Sequence, residues 1–355
     1  MMKSSYPESD VMILLKDISG QVTPLPTSER ERLIQSGTHY CEMLPIEYEP
    51  SEKYLQAYQF ALSTFSKATA EATMSLAEKL YEKKGDSLVI ISLARAGIPI
   101  GILVKRYLKM KYHVDIPHYS ISIIRGRGID INAMNFILSL HRPSDLQFVD
   151  GWIGKGAILG QLREALKAFP LVDSELGVVS DPANLTELCG THDDILIPSS
   201  CLNATITGLI SRTFLRADII SANDFHGAAF YSDLACKDLS NSYLDTIESF
   251  FSIHCQTNNT KCSPNAITGA KIAAAIKDSY QIGDINFVKP GIGETTRVLL
   301  RRIPWKIIVN PLHMESKELK HIFQLAEEKN IPIEPSSVNL FNYKVCGLIK
   351  SLSDV

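Results

Sequence analysis

Charged residues and glycines follow three apolar, strand-like segments of this 355-residue chain. After residues 87–93, 118–125 and 146–150 come "ARAG", "RGRG" and "GWIGKGA". Glycines let a backbone approach a ligand closely, and free amides that open a helix attract anions. Guanidinium and ammonium groups add positive charge, and a carboxylate binds sugar hydroxyls. We therefore predict a pocket for a phosphorylated sugar, built from Arg95, Gly97, Arg125, Arg127, Asp150, Gly154, Lys155 and Gly156.

Each of these turns also has an ordinary structural interpretation. A glycine turn with one arginine is common between a strand and a helix, and "RGRG" is typical of a solvated loop. "GWIGKG" lacks the G-x-x-x-x-G-K-[ST] spacing of a P-loop, which argues against a nucleoside triphosphatase. The order of the turns favours a ligand, because they follow consecutive strands of one predicted sheet.

The pocket requires a sheet whose strands run parallel. Apolar segments alternate with stretches of helical periodicity at 98–110 and 155–168, which predicts an α/β fold with a parallel sheet covered by helices on both faces. Ligands bind such sheets at the carboxyl ends of the strands. Before the sheet, a long helix is predicted from about Ser51 until Gly85 ends it.

The chain divides into four predicted parts. Residues 1–50 are polar and are predicted to form an irregular arm, and residues 51–250 form the sheet domain. The stretch 251–267 has no periodicity and is predicted to be a linker. Beyond it the alternation of helices and strands restarts, so residues 268–355 are predicted to form a small α/β/α domain.

Composition and charge limit the class of protein. With 45% hydrophobic residues and a net charge of −3, the chain is typical of a globular protein that does not bind nucleic acid over its whole surface. No apolar run approaches the roughly 20 residues of a membrane span. Seven scattered cysteines indicate reduced thiols rather than a disulfide framework. We expect a cytoplasmic protein that does not bind membranes, and the sequence leaves its oligomeric state open.

A cysteine and a histidine offer a second chemistry. Cys201 precedes a predicted helix, whose N-terminus would lower the pKa of the thiol. His226 ends a strand-like segment and is the candidate base, with Asp224 or Asp194 to orient it. Together they would make a cysteine hydrolase. The alternative is that Cys201 is a buried core residue and His226 a hydrogen-bonded structural histidine, because cysteine is among the most buried residue types.

Two weaker groups have metal-binding residue types. One is His254 with Cys255 and Cys262, which lacks a fourth ligand at suitable spacing. The other is the run from His192 to Asp194, which is also typical of a solvated acidic loop. We predict no metal site formed by protein ligands alone.

The last part of the chain is locally basic. Residues 289–350 contain ten Lys and Arg residues against six Glu and no Asp. Glycine amides at a helix start beside arginines suit an RNA backbone, although a helix with a solvated basic face gives the same pattern. The RNA-binding candidates are Lys289, Gly291, Gly293, Glu294, Arg297, Arg301 and Arg302.

Two of these motifs resemble those of phosphoribosyltransferases. "LARAGIPIG" (93–101) is similar to the pyrophosphate loop of the uracil type, and "FVDGWIGKGAI" (148–158) is similar to the phosphoribosyl-pyrophosphate motif. The resemblance implies that residues 95–97 contact pyrophosphate, that Asp150 contacts the ribose and that the amides of 154–157 hold the 5′-phosphate. It also implies Mg²⁺ bound with the substrate, with Asp150 as a further ligand.

The chain departs from that motif at two positions. Gly151 stands where the motif has a second acidic residue, and Lys155 stands where it has threonine. Loss of one carboxylate weakens the hold on the ribose and on developing charge, which disfavours ordinary transferase turnover. A lysine compensates at the phosphate as a point charge.

Most of the chain from about residue 20 resembles a bacterial family of phosphoribosyltransferase-like proteins that accompany tellurite-resistance and stress genes, some of them labelled StiP-type cysteine proteases. Residues 268–355 resemble the Pelota-type RNA-binding domain. The main hypothesis is therefore a stress-pathway enzyme that binds phosphoribosyl pyrophosphate, or a related ribose phosphate, and structured RNA. Its reaction would displace pyrophosphate. The alternatives are a cysteine protease that uses Cys201 and His226, and a non-catalytic RNA-binding protein that senses a nucleotide.

Overall fold

The computed structural model describes residues 2–255, 257–258, 260–262 and 267–350. Its strands are β1 (Met12–Ile13), β2 (Lys16–Asp17), β3 (Val89–Leu93), β4 (His118–Ile121), β5 (Ile123–Ile124), β6 (Gly128–Ile129), β7 (Leu146–Trp152), β8 (Leu176–Ser180), β9 (Cys189–Thr191), β10 (Gly227–Ala228), β11 (Val288–Pro290), β12 (Lys306–Val309), β13 (Ile333–Pro335) and β14 (Val345–Leu348). Its helices are α1 (Thr27–Gln35), α2 (Glu52–Lys84), α3 (Gly97–Tyr112), α4 (Ile131–Leu138), α5 (Ala157–Ala165), α6 (Ser240–Glu248), α7 (Gly269–Ser279), α8 (Ile292–Arg301) and α9 (Lys320–Glu328). None of the helices in these ranges has both the length and the apolarity that crossing a membrane requires.

Helix α2 starts and ends where the sequence predicts. The Ser51 hydroxyl accepts a hydrogen bond from the Tyr54 amide at 3.0 Å, and Gly85 follows the helix with a φ of 57°. Lys83 and Lys84 occupy the last turn, where positive charge stabilises the carboxyl end of a helix. At a rise of about 1.5 Å per residue, its 33 residues extend over about 50 Å, long enough to pack on both α3 and α9.

The main sheet has six parallel strands in the order β1-β4-β3-β7-β8-β9. Near its centre, Ile91 is paired with Tyr119 on one side and Phe148 on the other. Successive residues of β3 enter different cores: Ile91 packs with residues of α4 and α5, and Ile90 packs with residues of α2 and α3. Burial on both faces explains the continuous apolar runs of these strands. The predicted α/β class with a parallel sheet is confirmed.

The first 50 residues are more ordered than the irregular arm that the sequence predicts. Met12–Ile13 form the edge strand of the main sheet, and Lys16–Asp17 pair with Gly227–Ala228. Two-residue strands are too short to leave a periodic signal in the sequence. The segment 216–231, which the sequence predicts to be strand-like, contains the two-residue strand β10 together with turns, bends and irregular backbone.

A second, mixed sheet lies near the carboxyl end of the chain. Its order is β11-β14-β12-β13, with β14 antiparallel to both neighbours and β12 parallel to β13. Residues of α7 pack on one face, and residues of α8 and α9 pack on the other. The structure thus contains the predicted small domain of sheet and helices. Of the predicted linker 251–267, residues 256, 259 and 263–266 lie outside the described part of the chain.

The two domains share a continuous apolar core. Tyr54 of α2 belongs to the same cluster of buried side chains as Leu299 of α8 and Ile322 of α9. A polar contact crosses the same boundary, because the Asp194 carboxylate accepts a hydrogen bond at 3.0 Å from the amide of Ile292, the first residue of α8. Asp194 therefore caps a helix of the second domain, and it is not available to orient a catalytic histidine as the sequence suggested.

Candidate functional site

A cavity of about 280 Å³ lies between the two domains, at the carboxyl edge of the main sheet. The end of β7 and the turn into α5 line one side, and β11 and α8 line another. Residues predicted for a phosphorylated sugar and residues predicted for RNA meet here: Arg125, Asp150, Gly154, Lys155, Gly156, Ala157, Lys289, Glu294, Arg297, Arg301 and Arg302. Two sites that the sequence predicts separately therefore share one space.

Positive charge exceeds negative charge around this cavity. Its cationic side chains are those of Arg30, Arg125, Lys155, Arg212, Lys289, Arg297, Arg301 and Arg302, against the carboxylates of Asp150 and Glu294. Arg297 pairs with Glu294, and Arg302 pairs with Glu31. Within the described ranges, the other six cations have no carboxylate within ion-pair distance.

The turn before α5 presents free amides to the cavity. Gly156 precedes the helix with a φ of 89°, a conformation that glycine adopts without strain. No side chain caps the helix, and its first residues, Ala157 and Ile158, line the cavity. The amides and the helix dipole favour an anion at this position.

Lys155 binds protein carbonyls. Its ammonium group donates to the carbonyl oxygens of Ile285 and Val288, the second at 2.8 Å, and so ties the turn to the second domain. Burial lowers the pKa of Lys155 to about 8, and the charge of Lys289 adds to this effect. The prediction that this lysine acts in place of a phosphate-binding threonine therefore needs correction, since its contacts join the two domains.

The residues of "ARAG" do not line the cavity, contrary to the prediction. Arg95 is buried, and its Nη1 donates to the Glu47 carboxylate at 2.9 Å and to a backbone carbonyl. A β-carbon on Gly97 would meet the backbone oxygen of Val149 at 2.7 Å, so this glycine permits close packing of α3 on β7. Ala96 is the residue before α3 and has helical backbone angles. This turn serves packing and an internal ion pair.

Arg125 and Arg127 have different surroundings, although a single residue separates them in sequence. The hairpin of β5 and β6 holds the turn between them. Arg125 donates to Asn286 Oδ1 at 3.0 Å and lines the cavity, whereas Arg127 pairs with Glu42 at 2.9 Å away from the cavity lining. Of the two arginines, Arg125 alone contributes to the cavity.

The two carboxylates of the cavity differ in their electrostatics. Burial raises the pKa of Asp150 to about 6, and its Oδ1 accepts a hydrogen bond from the Gly151 amide. Burial also acts to raise the pKa of Glu294, but the charges of Lys289 and Arg297 outweigh it and lower that pKa. Glu294 is therefore ionised at neutral pH, while Asp150 takes up a proton in mildly acidic solution.

Several of the predicted RNA-binding residues pack against the first domain. A β-carbon on Gly293 would overlap the Trp152 ring, and one on Gly291 would approach Asp194 Oδ1 to 3.3 Å. The Arg297 guanidinium lies 4.2 Å from the centre of the same Trp152 ring. An RNA strand would therefore reach this part of α8 only through the cavity or after the domains separate.

Cys201 lies in the core, in a different environment from the predicted one. Residues 198–201 form a 3₁₀ turn, and a second 3₁₀ turn follows where an α-helix was predicted. The residue is 0% exposed, and its carbonyl accepts a hydrogen bond from the Tyr54 hydroxyl at 2.6 Å. Burial raises the pKa of the Cys201 thiol. These features agree with the structural alternative, because no helix N-terminus activates the thiol.

His226 binds partners other than Cys201. Its Nδ1 lies 2.8 Å from Ser122 Oγ, and its amide donates to the Asp130 carboxylate at 2.5 Å. Asp224 forms an ion pair with Lys16. No hydrogen bond between Cys201 and His226 occurs, although both residues are described. The predicted catalytic pair is therefore not formed.

A thiol, an imidazole and a carboxylate meet near the ends of β8 and β9. One polar atom from each of Asp181, Cys189 and His192 lies within 4.8 Å of the other two, and the described residues contain no other such cluster of His, Cys, Asp and Glu. Cys189 Sγ lies 3.8 Å from Nδ1 and 3.9 Å from Nε2 of His192. Nδ1 also lies 2.9 Å from the Asp181 carbonyl oxygen and 3.6 Å from its carboxylate.

Residues of the predicted linker cover this cluster. The carbonyl oxygen of Thr260 lies 3.0 Å from His192 Nε2, and the Asn258 amide group donates to the Gly190 carbonyl at 2.8 Å. Burial raises the pKa of the Cys189 thiol to about 12. Both ring nitrogens face carbonyl oxygens, so neither one accepts the thiol proton in this arrangement.

A second cysteine contacts a histidine in the first 50 residues. His39 Nδ1 lies 2.9 Å from Cys41 Sγ, and its Nε2 lies 3.0 Å from the Arg125 carbonyl oxygen. Cys41 is buried, and burial raises the pKa of its thiol to about 11. The histidine also accepts the Cys41 amide and so caps a 3₁₀ turn. Because no described carboxylate bonds to this imidazole, the contact fits a structural cap.

The fold and these sites define a class of two-domain α/β protein, with a thiol, an imidazole and a carboxylate in the parallel-sheet domain. The family model for the tellurite-like stress resistance cysteine protease StiP matches residues 4–248. The chain is also 32% identical to the cysteine protease StiP of Acinetobacter baylyi over an alignment of 377 residues. The alignment covers 98% of this chain and 94% of that protein. The chain therefore belongs to the StiP family of stress-resistance cysteine proteases.

A second model, for the PELOTA RNA binding domain, matches residues 267–351. The resemblance of the last part of the chain to a Pelota-type domain is thus confirmed. The comparisons support the cysteine-protease alternative better than the phosphoribosyltransferase hypothesis, to which they give no support.

Proposed function

We propose that this chain is a cysteine protease in which Cys189 is the nucleophile, His192 is the base and Asp181 orients the base. Membership of the StiP family supports a protease. The observation that supports these residues is that their thiol, imidazole and carboxylate groups lie within 4.8 Å of one another. Cys201 and His226 are not proposed for this role, since they do not contact each other.

Asp181 favours the tautomer that the base requires. His192 Nδ1 faces the carbonyl and the carboxylate of Asp181, and both are acceptors, so Nδ1 carries the proton. Nε2 is then the nitrogen that accepts a proton from the thiol, once the Thr260 carbonyl that faces it has moved away. Asp181 Oδ2 is itself held by the amides of Leu185 at 2.6 Å and Thr186 at 2.9 Å, which fixes the carboxylate relative to the ring.

The proposed reaction is acyl transfer in two steps. His192 takes the thiol proton as the Cys189 sulfur attacks the carbonyl carbon of a peptide bond. The C–N bond then breaks, the amine leaves with the proton from the imidazolium, and the acyl group remains on sulfur as a thioester. Water attacks the thioester with His192 again as base, and the thiol leaves as the carboxylic acid product forms.

Hydrolysis of fluorescein-labelled casein tests the assignment. Cys189→Ser should reduce the rate by about 100-fold or more, because nucleophile and base act together. Cys201→Ser makes the same change in a buried cysteine and should retain the rate per folded molecule. Full activity of Cys189→Ser would refute the assignment. So would a stoichiometric metal ion whose binding requires Asp181, Cys189 and His192, because the cluster would then be a metal site.

The ligands predicted from the sequence remain proposals for the cavity and the second domain. Phosphoribosyl pyrophosphate, or a related ribose phosphate, would bind in the cavity, and the PELOTA match supports structured RNA as a partner of the second domain. Of the two cavity carboxylates, Asp150 has no ion pair within the described part of the chain, so it is the residue that would contact Mg²⁺. One carboxylate suits an ion whose other ligands come from the pyrophosphate and water.

A further inference from the structure

We infer that the cavity between the domains binds a compact organic phosphate, held jointly by Arg30, Arg212 and Arg301. These residues come from α1, from the loop before β10 and from the end of α8. The inference rests on the ribose-phosphate binding proposed for this cavity and names the residues that would hold the ligand, and it does not depend on protease activity at the thiol site.

Arg30 supplies a buried cation whose charge is only partly balanced by nearby carboxylates. The residue is 2% exposed and lines the cavity, and its Nε has no hydrogen-bond acceptor in the part of the chain that the structure describes. Among the described residues, no carboxylate lies within ion-pair distance of its guanidinium. Burial lowers the pKa of Arg30, and this effect outweighs the charges of Glu47 and Glu31, which act to raise it. A buried charge without a partner is unfavourable, so an anion that enters the cavity is stabilised.

Arg212 adds a second such cation. Its guanidinium lies 4.6 Å from the centre of the Tyr40 ring, and no ion pair to it occurs in the described ranges. Burial lowers the pKa of Arg212 to about 10, with the charges of Arg30 and Arg95 adding to the effect. Arg212 and Arg30 therefore repel each other across the cavity lining, and a phosphate between them would relieve that repulsion.

The remaining donors suit the same anion. Arg301 donates to Asn203 Oδ1 at 2.8 Å and has no carboxylate within ion-pair distance among the described residues, so its guanidinium can still pair with an anion. The uncapped amides that open α5 line the same cavity. Guanidinium groups and helix-opening amides are the donors that most often bind phosphate oxygens.

The size of the cavity limits the ligand. At about 280 Å³ it lies near the lower end of the roughly 300–1,000 Å³ typical of ligand pockets. Trp152, Ile153 and Val298 provide apolar lining for a small organic group. A sugar phosphate fits a cavity of this size and lining. An RNA strand does not, because residues of both domains form the walls of the cavity.

Calorimetry and thermal unfolding of the full chain test this inference. The probes are inorganic pyrophosphate, ribose 5-phosphate, adenosine monophosphate and a twelve-nucleotide single-stranded RNA. At least one small phosphate should bind and raise the unfolding temperature. Arg212→Gln and Arg30→Gln should each weaken that binding by about 10- to 100-fold, the effect of losing a charged hydrogen bond.

The stability of the unliganded variants separates ligand binding from a structural role. If these arginines serve a ligand, either replacement leaves the unfolding temperature of the free chain unchanged or raises it, because charge repulsion is removed. Arg163→Gln is the matched control: it makes the same charge change on the exposed face of α5 and should alter neither quantity.

Three results would overturn the inference. The first is that no small phosphate binds at millimolar concentration, and the second is that binding is equally tight in the arginine variants. The third is that only the RNA binds and needs Arg212, which would make the cavity part of an RNA surface. If Arg212→Gln does not fold, Arg30→Gln and Arg301→Gln decide. Cys189→Ser should bind the phosphate as the unaltered chain does, whichever way the protease assay turns out.

Discussion

The carbonyl oxygen of Thr260 lies 3.0 Å from Nε2 of His192. The backbone carbonyl of a residue in the predicted linker thus lies against the ring nitrogen that acts as base in the proposed reaction. The Thr260 hydroxyl donates to the Glu187 carbonyl at 2.8 Å and also contacts the Lys79 ammonium group. Together with the raised pKa of the Cys189 thiol, these contacts describe a closed form of the thiol site.

Loosening the Thr260 contacts should expose the thiol. Thr260→Val removes the hydroxyl group with little change in shape, and we expect iodoacetamide to alkylate Cys189 about five- to tenfold faster, as loss of one or two hydrogen bonds allows. Peptide mapping by mass spectrometry measures the rate at each cysteine. Asn241→Ala removes an amide-to-carbonyl bond of 2.8 Å elsewhere and serves as the control. An unchanged rate at Cys189 would mean that Thr260 does not close the site.

Asp150 should make the free energy of unfolding depend on pH. Its pKa is about 6 in the folded chain against 3.8 for an ordinary aspartate, so the folded state binds this proton more tightly. The contribution to stability is complete below pH 3.8 and is lost as the pH rises through 6.

Asp150→Asn has no such proton to lose. The unfolding free energy of the variant minus that of the unaltered chain should therefore rise by up to about 3 kcal/mol between about pH 4 and 7 and then level off. Urea denaturation across this range measures the difference, in which the titration of other groups cancels. A difference that stays constant with pH would contradict the raised pKa.

Gly293 should be sensitive to a single added methyl group. Its β-carbon would overlap the Trp152 ring at the domain boundary, so Gly293→Ala should lower the free energy of unfolding by about 1–3 kcal/mol. Gly283→Ala is the matched control, since nothing lies within 4 Å of the β-carbon that it adds. Urea denaturation compares the two. Equal losses would indicate a general effect of replacing glycine rather than contact between the domains.

Local patterns predicted much of the fold. The apolar runs of β3 and β7 are buried on both faces, and the helix from Ser51 to Gly85 has its predicted cap and stop. The sequence also predicts that Asp150 and the turn into α5 form a wall of the pocket, because the ends of strands can be located from the sequence. That α8 forms the facing wall could not be predicted, since it depends on how the two domains pack.

The thiol site illustrates a different limit. Asp181 follows a predicted strand, and Cys189 and His192 have a C-x-x-H spacing that could have drawn attention to them. The strand β9, which begins at Cys189 and ends just before His192, has three residues, too few for a periodic pattern that would predict its pairing with β8. The sequence favours Cys201 because it predicts a helix after that residue, where the structure has a 3₁₀ turn.

Covalent labelling of the nucleophile tests the central claim most directly. A peptidyl vinyl sulfone reacts with a thiolate that a neighbouring base has generated, and mass spectrometry then locates the adduct. In the Thr260→Val chain we predict an adduct on Cys189. In the double variant that also carries His192→Ala, the adduct should form about 100-fold more slowly or slower still. An adduct on another cysteine, or one on Cys189 that forms equally fast without His192, would contradict the assignment.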